Sequence, residues 1–158
     1  MFRQHYPQVD AYVRRRTTGD AGDVVGEVFL TAWRRLDRVP ADSLPWLLGV
    51  ARKALANARR SEHRRPAVAI ADAGGVPGPE SNPAERLEVA EAFARLSDRD
   101  REVLMLVAWD GLTPARAARV LGCSVPAFHV RLHRARARLA RALEARDWAD
   151  LLTREEAE

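Results

Sequence analysis

Apolar residues recur along this chain at intervals of three and four, and nowhere do they alternate at the interval of two that a half-buried strand requires. The chain therefore reads as all-α. A first helix is predicted over 2–16, with Phe2, Tyr6, Val9 and Val13 as its apolar line. Pro7 falls inside it, so the helix is kinked or begins just after His5. A second runs from an Asp20 cap to Arg38 on the stripe Val24, Val25, Val28, Phe29, Ala32, Trp33 and Leu36. After a loop over 39–43 with Pro40 as breaker, a third helix extends from about Leu44 to about His63. Its core face is Trp46, Leu47, Val50, Ala51, Ala54, Leu55 and Ala58, and Pro45 is tolerated in its first turn. Trp33 and Trp46 fit the apolar periodicity and are read mainly as core, with Trp33 partly exposed.

The pattern stops at 66–83. That stretch holds four prolines, three glycines, two acids and no basic residue. Such a composition buries too little apolar surface to offset its ordering entropy, so it is predicted to be a flexible linker. Periodicity resumes with a helix from Ala84 to about Leu96, then one capped by Ser97 and running to Trp109. Thr113 followed by Pro114 is a helix start, N-cap then first turn. That short helix ends at Leu121, and Gly122 and Cys123 form a turn before a long helix capped by Ser124. The expected fold is thus two small helical domains, 1–65 and 84–146, joined by the linker and followed by an acidic tail over 147–158.

The long helix has two unlike faces. Val125, Phe128, Leu132, Ala135, Leu139 and Leu143 form an apolar stripe, while Arg131, Arg134, Arg138 and Arg141 repeat on another face, flanked by His129, His133 and Arg136. A short helix, a glycine turn and a basic longer helix make a helix-turn-helix, whose second helix is shaped to enter a major groove. The alternative is a solvated charged face. Such faces mix signs, whereas here six arginines stand against the single acid Glu144 between Ser124 and Arg146.

Charge and composition narrow the class without settling it. The chain has 158 residues and a net charge of +4, which favours a polyanionic partner. Its 26 basic residues include one lysine, Lys53. Arginine suits phosphate and guanine, but GC-rich coding produces the same bias. A single cysteine, Cys123, excludes an intrachain disulfide and is read as a small buried residue. No apolar run is long enough to span a membrane and no signal peptide is evident, so a cytoplasmic protein without membrane insertion is expected. There is no P-loop and no glycine-rich dinucleotide turn. His129 and His133 stand four apart like zinc ligands, but they lack the intervening glutamate and a third ligand. Neither catalysis, a metal nor a cofactor is expected.

Two blocks of sequence, in this order and across a linker of this length, resemble the extracytoplasmic-function (ECF) group of bacterial RNA polymerase sigma factors. The first holds Asp23-Val24-Val25-Gly26-Glu27-Val28-Phe29-Leu30-Thr31-Ala32-Trp33-Arg34 and Trp46-Leu47-Leu48-Gly49-Val50-Ala51-Arg52. The second holds Leu96-Ser97-Asp98-Arg99-Asp100-Arg101-Glu102-Val103-Leu104, Gly111-Leu112-Thr113, Val120 to Val125, and Arg131 to Leu139. The resemblance covers residues 2 to about 144.

It implies a first domain that docks on core RNA polymerase and opens the −10 promoter element, and a second that reads the −35 element. Asp23, Glu27 and Trp33 match the family's polymerase-contacting positions; from the residues alone, Asp23 and Glu27 are equally well explained by the helix dipole. The loop over 39–43, with Asp42 and Ser43, matches the loop that captures a flipped −10 base. Arg52, Lys53, Asn57 and Arg60 match the helix that lies along −10 DNA. His129, Val130, His133 and Arg134 match the base-reading positions of the −35 helix. Arg131, Arg136 and Arg138 are phosphate candidates, and the Ser124 cap leaves backbone N–H groups where a phosphate could sit. An anti-sigma partner is implied as well.

Three positions depart from the family pattern. Gly26 stands where a glutamine is usual, and His129 and Val130 replace the usual Arg/Lys and Ser. The alternative functions are a sigma-like DNA-binding regulator that builds no productive holoenzyme and, ranked lower, an activator with a separate sensor lobe.

Overall fold

The computed structural model describes residues 1–61 and 82–155, with side chains described as far as residue 145. Among them are seven α-helices and no strand: α1 (Phe2–Arg14), α2 (Ala21–Arg34), α3 (Ser43–Ser61), α4 (Pro83–Ala94), α5 (Asp98–Ala108), α6 (Pro114–Leu121) and α7 (Val125–Glu155). The stretch expected to be a linker lies outside the described residues from 66 to 81. Asn82 and Pro83, also assigned to it, instead begin α4, where the Asn82 side chain accepts from the Ala84 N–H.

Local chemistry sets most helix ends. The Asp20 carboxylate accepts from the backbone N–H groups of Gly22 and Asp23, so α2 begins where expected. Ser97, Thr113 and Ser124 accept from Asp100, Arg116 and Ala127 respectively. Asp100 also accepts from the Ser97 hydroxyl, so the pair closes reciprocally without a glutamate. Gly122 ends α6 with φ +67, which glycine adopts at no steric cost, and the Cys123 N–H then reaches back to the Ala118 carbonyl. Pro7 is accommodated within α1 rather than starting it.

Two helix ends differ from expectation. α2 stops at Arg34, and Leu36–Arg38 is a separate 3-10 turn with Leu36 exposed. α7 does not end near residue 146 but continues to Glu155, so the tail, expected as a short helix or frayed chain, is an extension of α7 over most of its length. No glycine or proline interrupts it after Pro126, and its alanines, leucines and arginines are strong helix formers.

In the first lobe, α1, α2 and α3 pack around Val9, Tyr12, Val13, Val25, Val28, Ala32, Leu47 and Leu48. Trp46 is half-buried against them. In the second lobe, α4 to α7 surround Phe93, Leu106, Ala117, Phe128, Leu132 and Ala135, and Phe93 meets Trp109 with ring centroids 5.3 Å apart. The two lobes are not held apart. α3 packs on α6, so both share one continuous core.

Candidate nucleic-acid and polymerase interfaces

The helix-turn-helix is built as its residues dictate. Phe128, Leu132 and Ala135 are buried and anchor α7 against α5 and α6. The positions between them are therefore driven outward: His129, Val130, Arg131, His133, Arg134 and Arg136 are all exposed. Ser124 caps the helix at the exposed end of this row. Arg138 is also exposed, but its Nη1 donates to both Asp100 oxygens at 2.8 and 2.9 Å. It ties α7 to the start of α5, so its guanidinium already has a partner that a phosphate would have to displace. Cys123 is half-buried against the core beside the turn, with no disulfide.

α3 presents a second basic face. Arg52, Lys53, Asn57 and Arg60 are exposed, opposite a buried face of Leu47, Leu48, Ala51, Ala54 and Leu55. Arg60 donates to the Asn57 side chain at 2.8 Å, which orients both. Just before α3, the expected base-capturing loop is not open. Ser43 is the first residue of the helix and is buried, because the chain turns directly into the α3–α6 contact. Asp42 is gripped from the second lobe: its carboxylate accepts from Arg116 Nη2 at 2.8 Å, Arg116 Nε at 3.1 Å and Arg119 Nη1 at 2.9 Å.

The outer face of α2 carries the third feature. Trp33 was expected mainly in the core and only partly exposed, yet it is 73% exposed. The stripe it appeared to extend is centred on Val28 and Ala32, and at 3.6 residues per turn Trp33 lies about 120° from that centre. It joins instead an exposed row of Asp23, Gly26, Glu27 and Leu30, the last 48% exposed. Two carboxylates thus flank two large apolar side chains on one helix face. A Cβ at Gly26 would meet nothing within 4 Å, so any side chain there projects freely into the same face.

Residues with no local sequence signal also converge. Arg16, at the end of α1, is buried and donates through Nε to Glu102 Oε2 and through Nη2 to Asp110 Oδ2, each at 2.7 Å. Arg15 donates to the other Asp110 oxygen at 2.7 Å, and the Tyr12 hydroxyl to Glu102 at 2.9 Å. The Arg16 guanidinium lies 3.6 Å from the centre of the Tyr12 ring. Burial works to lower the pKa of Arg16, but Tyr12, Glu102 and Asp110 more than reverse it, so the guanidinium stays charged. Burial raises the pKa of Tyr12, which stays a neutral phenol able to donate. These partners are 86 to 95 residues apart in the chain, a separation that no periodicity or local motif encodes.

The described residues are all helical, with a helix-turn-helix in the second lobe and a separate basic helix in the first, an arrangement suited to a DNA-binding transcription protein. The sigma-70 region 2 profile matches residues 1–65, and the sigma-70 region 4 profile matches residues 86–139. The chain is 37% identical over 142 residues to the RNA polymerase sigma factor CnrH of Cupriavidus metallidurans, covering 80% of this chain and 74% of the relative. It is 35% identical over 130 residues to the ECF RNA polymerase sigma factor SigL of Mycobacterium tuberculosis, covering 75% and 73%. The solved structure of CnrH in complex with the cytosolic domain of CnrY superposes with a TM-score of 0.64 at 30% identity, covering 91% of this chain and 85% of that one. The chain belongs to the sigma-70 family, in its extracytoplasmic-function group of RNA polymerase sigma factors. No helix among the described residues is long and apolar enough to cross a membrane.

Proposed function

We propose that this chain binds core RNA polymerase through the outer face of α2 and directs initiation at promoters by reading a −10 element with its first domain and a −35 element with its second. The observation that carries this reading is the pairing of an acidic-apolar face on α2 with a basic face on α3 in the same lobe. A DNA-binding regulator with no polymerase contact has no use for Trp33 and Leu30 in solvent, where large apolar groups mark interaction sites. Asp23 and Glu27 beside them suit a basic surface on the partner.

On the promoter, Arg52, Lys53, Asn57 and Arg60 run along −10 DNA, with Asp42 and Ser43 serving the flipped base once the loop is freed. In the major groove His129, Val130, His133 and Arg134 meet base edges, while Arg131, Arg136 and the N-terminal N–H groups at Ser124 take phosphates. Arg138 contributes to posture through Asp100. No catalytic step, metal or cofactor is assigned to any of these residues. An anti-sigma protein partner belongs to the same proposal, supported by the complex that CnrH forms with CnrY.

Arg134→Ala should weaken −35 binding by roughly 1–3 kcal/mol and relax the preference at one base position, measured as binding isotherms on a set of single-base variants. A uniform loss across the set would reassign Arg134 to phosphate. Gly26→Gln should stabilise α2 by roughly 0.5–1 kcal/mol, since glycine is the poorer helix former. The added amide should also tighten polymerase binding, measurable by titration with labelled protein. The proposal itself is tested by size-exclusion chromatography with purified core polymerase. The chain should co-elute at near one-to-one stoichiometry, whereas separate elution at micromolar concentration leaves the non-holoenzyme regulator as the better reading.

A further inference from the structure

The cations of this chain are not spread evenly. Over the whole sequence 26 basic residues stand against 22 acidic ones, close to balance. A cleft of about 910 Å³ between α3, α5 and α7, by contrast, is lined by nine cations and three carboxylates. Those carboxylates are already committed: Asp98 pairs with Arg101, Asp100 with Arg138, and Glu102 with Arg16. Arg59 and Arg60 donate to neutral oxygens, the Arg16 carbonyl and the Asn57 side chain, which orient them without cancelling their charge. Five cations are left over: Arg52 and Lys53 from α3, Arg99 from α5, and Arg131 and Arg134 from α7. All five are exposed, and none has a hydrogen-bond or ion-pair partner among the described residues.

Like charges on the walls of a confined space focus a positive potential into it and favour an anion there. The volume lies within the roughly 300–1,000 Å³ of small-ligand sites, and a duplex, whose major groove alone is about 12 Å wide, does not enter it. The chemistry of the walls narrows the ligand further. A nucleobase, free or on a single strand, gains affinity by stacking on an open aromatic face. The one aromatic lining residue, Tyr12, is fully buried, and the Arg16 guanidinium covers its ring at 3.6 Å. What the walls do offer is guanidinium forks and one ammonium, which suit phosphate oxygens repeated along a chain. We propose that this cleft is a binding site for a linear inorganic polyphosphate, gripped at once from α3, α5 and α7. A single phosphate meets only part of the cation set, whereas a chain of several bridges the three helices and relieves their mutual repulsion. The site stands on the cleft and its charges alone. Only its consequence rests on the function proposed above: a ligand held by Arg131 and Arg134 competes with promoter DNA for them.

Calorimetric titration of the full chain with sodium tripolyphosphate, at low ionic strength and without divalent cations, tests the site. Saturable one-to-one binding is expected. Lys53→Ala, Arg99→Ala and Arg131→Ala, one from each helix, should each weaken it at least about fivefold through the loss of one charge-assisted contact. All three side chains are exposed, so the fold is retained, and an unchanged thermal midpoint without ligand checks this. Arg35 is an exposed cation outside the cleft, and Arg35→Ala should shift the affinity less than about twofold. Orthophosphate should bind at least about 30-fold more weakly than tripolyphosphate, because it cannot engage several cations at once. ATP should bind no more tightly than tripolyphosphate, and a clear preference for ATP would overturn the assignment to an inorganic chain. Binding at several equivalents, or a loss in Arg35→Ala equal to that in Arg99→Ala, would overturn the site in favour of a diffuse ion atmosphere. A loss confined to Arg131→Ala would overturn it as well, since the anion would then sit on α7 alone. Failure of the initiation reading would show separately, as absence of a transcript from the parent chain, and would leave these titrations unchanged.

Discussion

Replacing both Leu30 and Trp33 by alanine should reduce affinity for core polymerase by at least about 30-fold, with no loss of folded stability. Interface anchors of this kind cost 2 kcal/mol or more when truncated, and tryptophan is the residue most enriched among them. The fold does not depend on either side chain, since Trp33 is 73% and Leu30 48% exposed. Titration of labelled variant and parent against core polymerase reads the first half of this expectation. Thermal unfolding in the absence of polymerase reads the second. A variant with unchanged affinity would move the docking surface away from α2 and leave its exposed tryptophan without a function.

The largest effect on stability is expected at Phe128. It is fully buried where α7 crosses the rest of the second lobe, and alanine there leaves a cavity that the surrounding helices can fill only in part. The cost should be about 3–5 kcal/mol, a large share of the 5–15 kcal/mol by which a domain is ordinarily stable. Chemical denaturation should show the loss in the second lobe, together with loss of −35 DNA binding. By contrast His129→Ala, one position along the same helix, should change DNA preference and leave the denaturation midpoint where it was. Two neighbouring residues thus separate what holds the helix from what the helix reads.

Those two residues also show why so much of this protein was legible before its structure. Phe128 and His129 differ by one step, or about 100° around the helix, and that step alone sends one side chain inward and the other to solvent. The same reasoning placed Arg131 and Arg134 outward and gave the caps at Asp20, Ser97, Thr113 and Ser124. A cap is chemistry within three residues, so its signal lies in the sequence itself. Trp33 is where this reasoning fell short. Its spacing from Phe29 and Val25 fits a stripe, but a stripe has edges, and hydrophobicity does not tell a core residue from a docking residue at the edge. Only the family resemblance pointed outward there.

The contacts between lobes escaped for a different reason. Arg16 looked like one more basic residue at a helix end, and Asp110 like part of a turn. What makes them a pair is that side chains at the end of α1 reach α5 and the turn that follows it, a fact of tertiary packing with no local trace. The partners of Arg138 and Asp42 escaped likewise: each was read as meeting DNA, and each has a carboxylate or guanidinium already in reach. Charges that periodicity places on the surface still compete among themselves, and only geometry settles which remain unpaired.

Transcription from a library of genomic fragments by purified core polymerase, with and without this chain, tests the central claim most directly. The account predicts chain-dependent transcripts starting at discrete sites, upstream of which two short sequence elements recur at a fixed spacing. In the Arg134→Ala variant the upstream element should lose definition while the downstream one persists. An identical set of transcripts in the presence and absence of the chain, at concentrations that saturate polymerase, would contradict it.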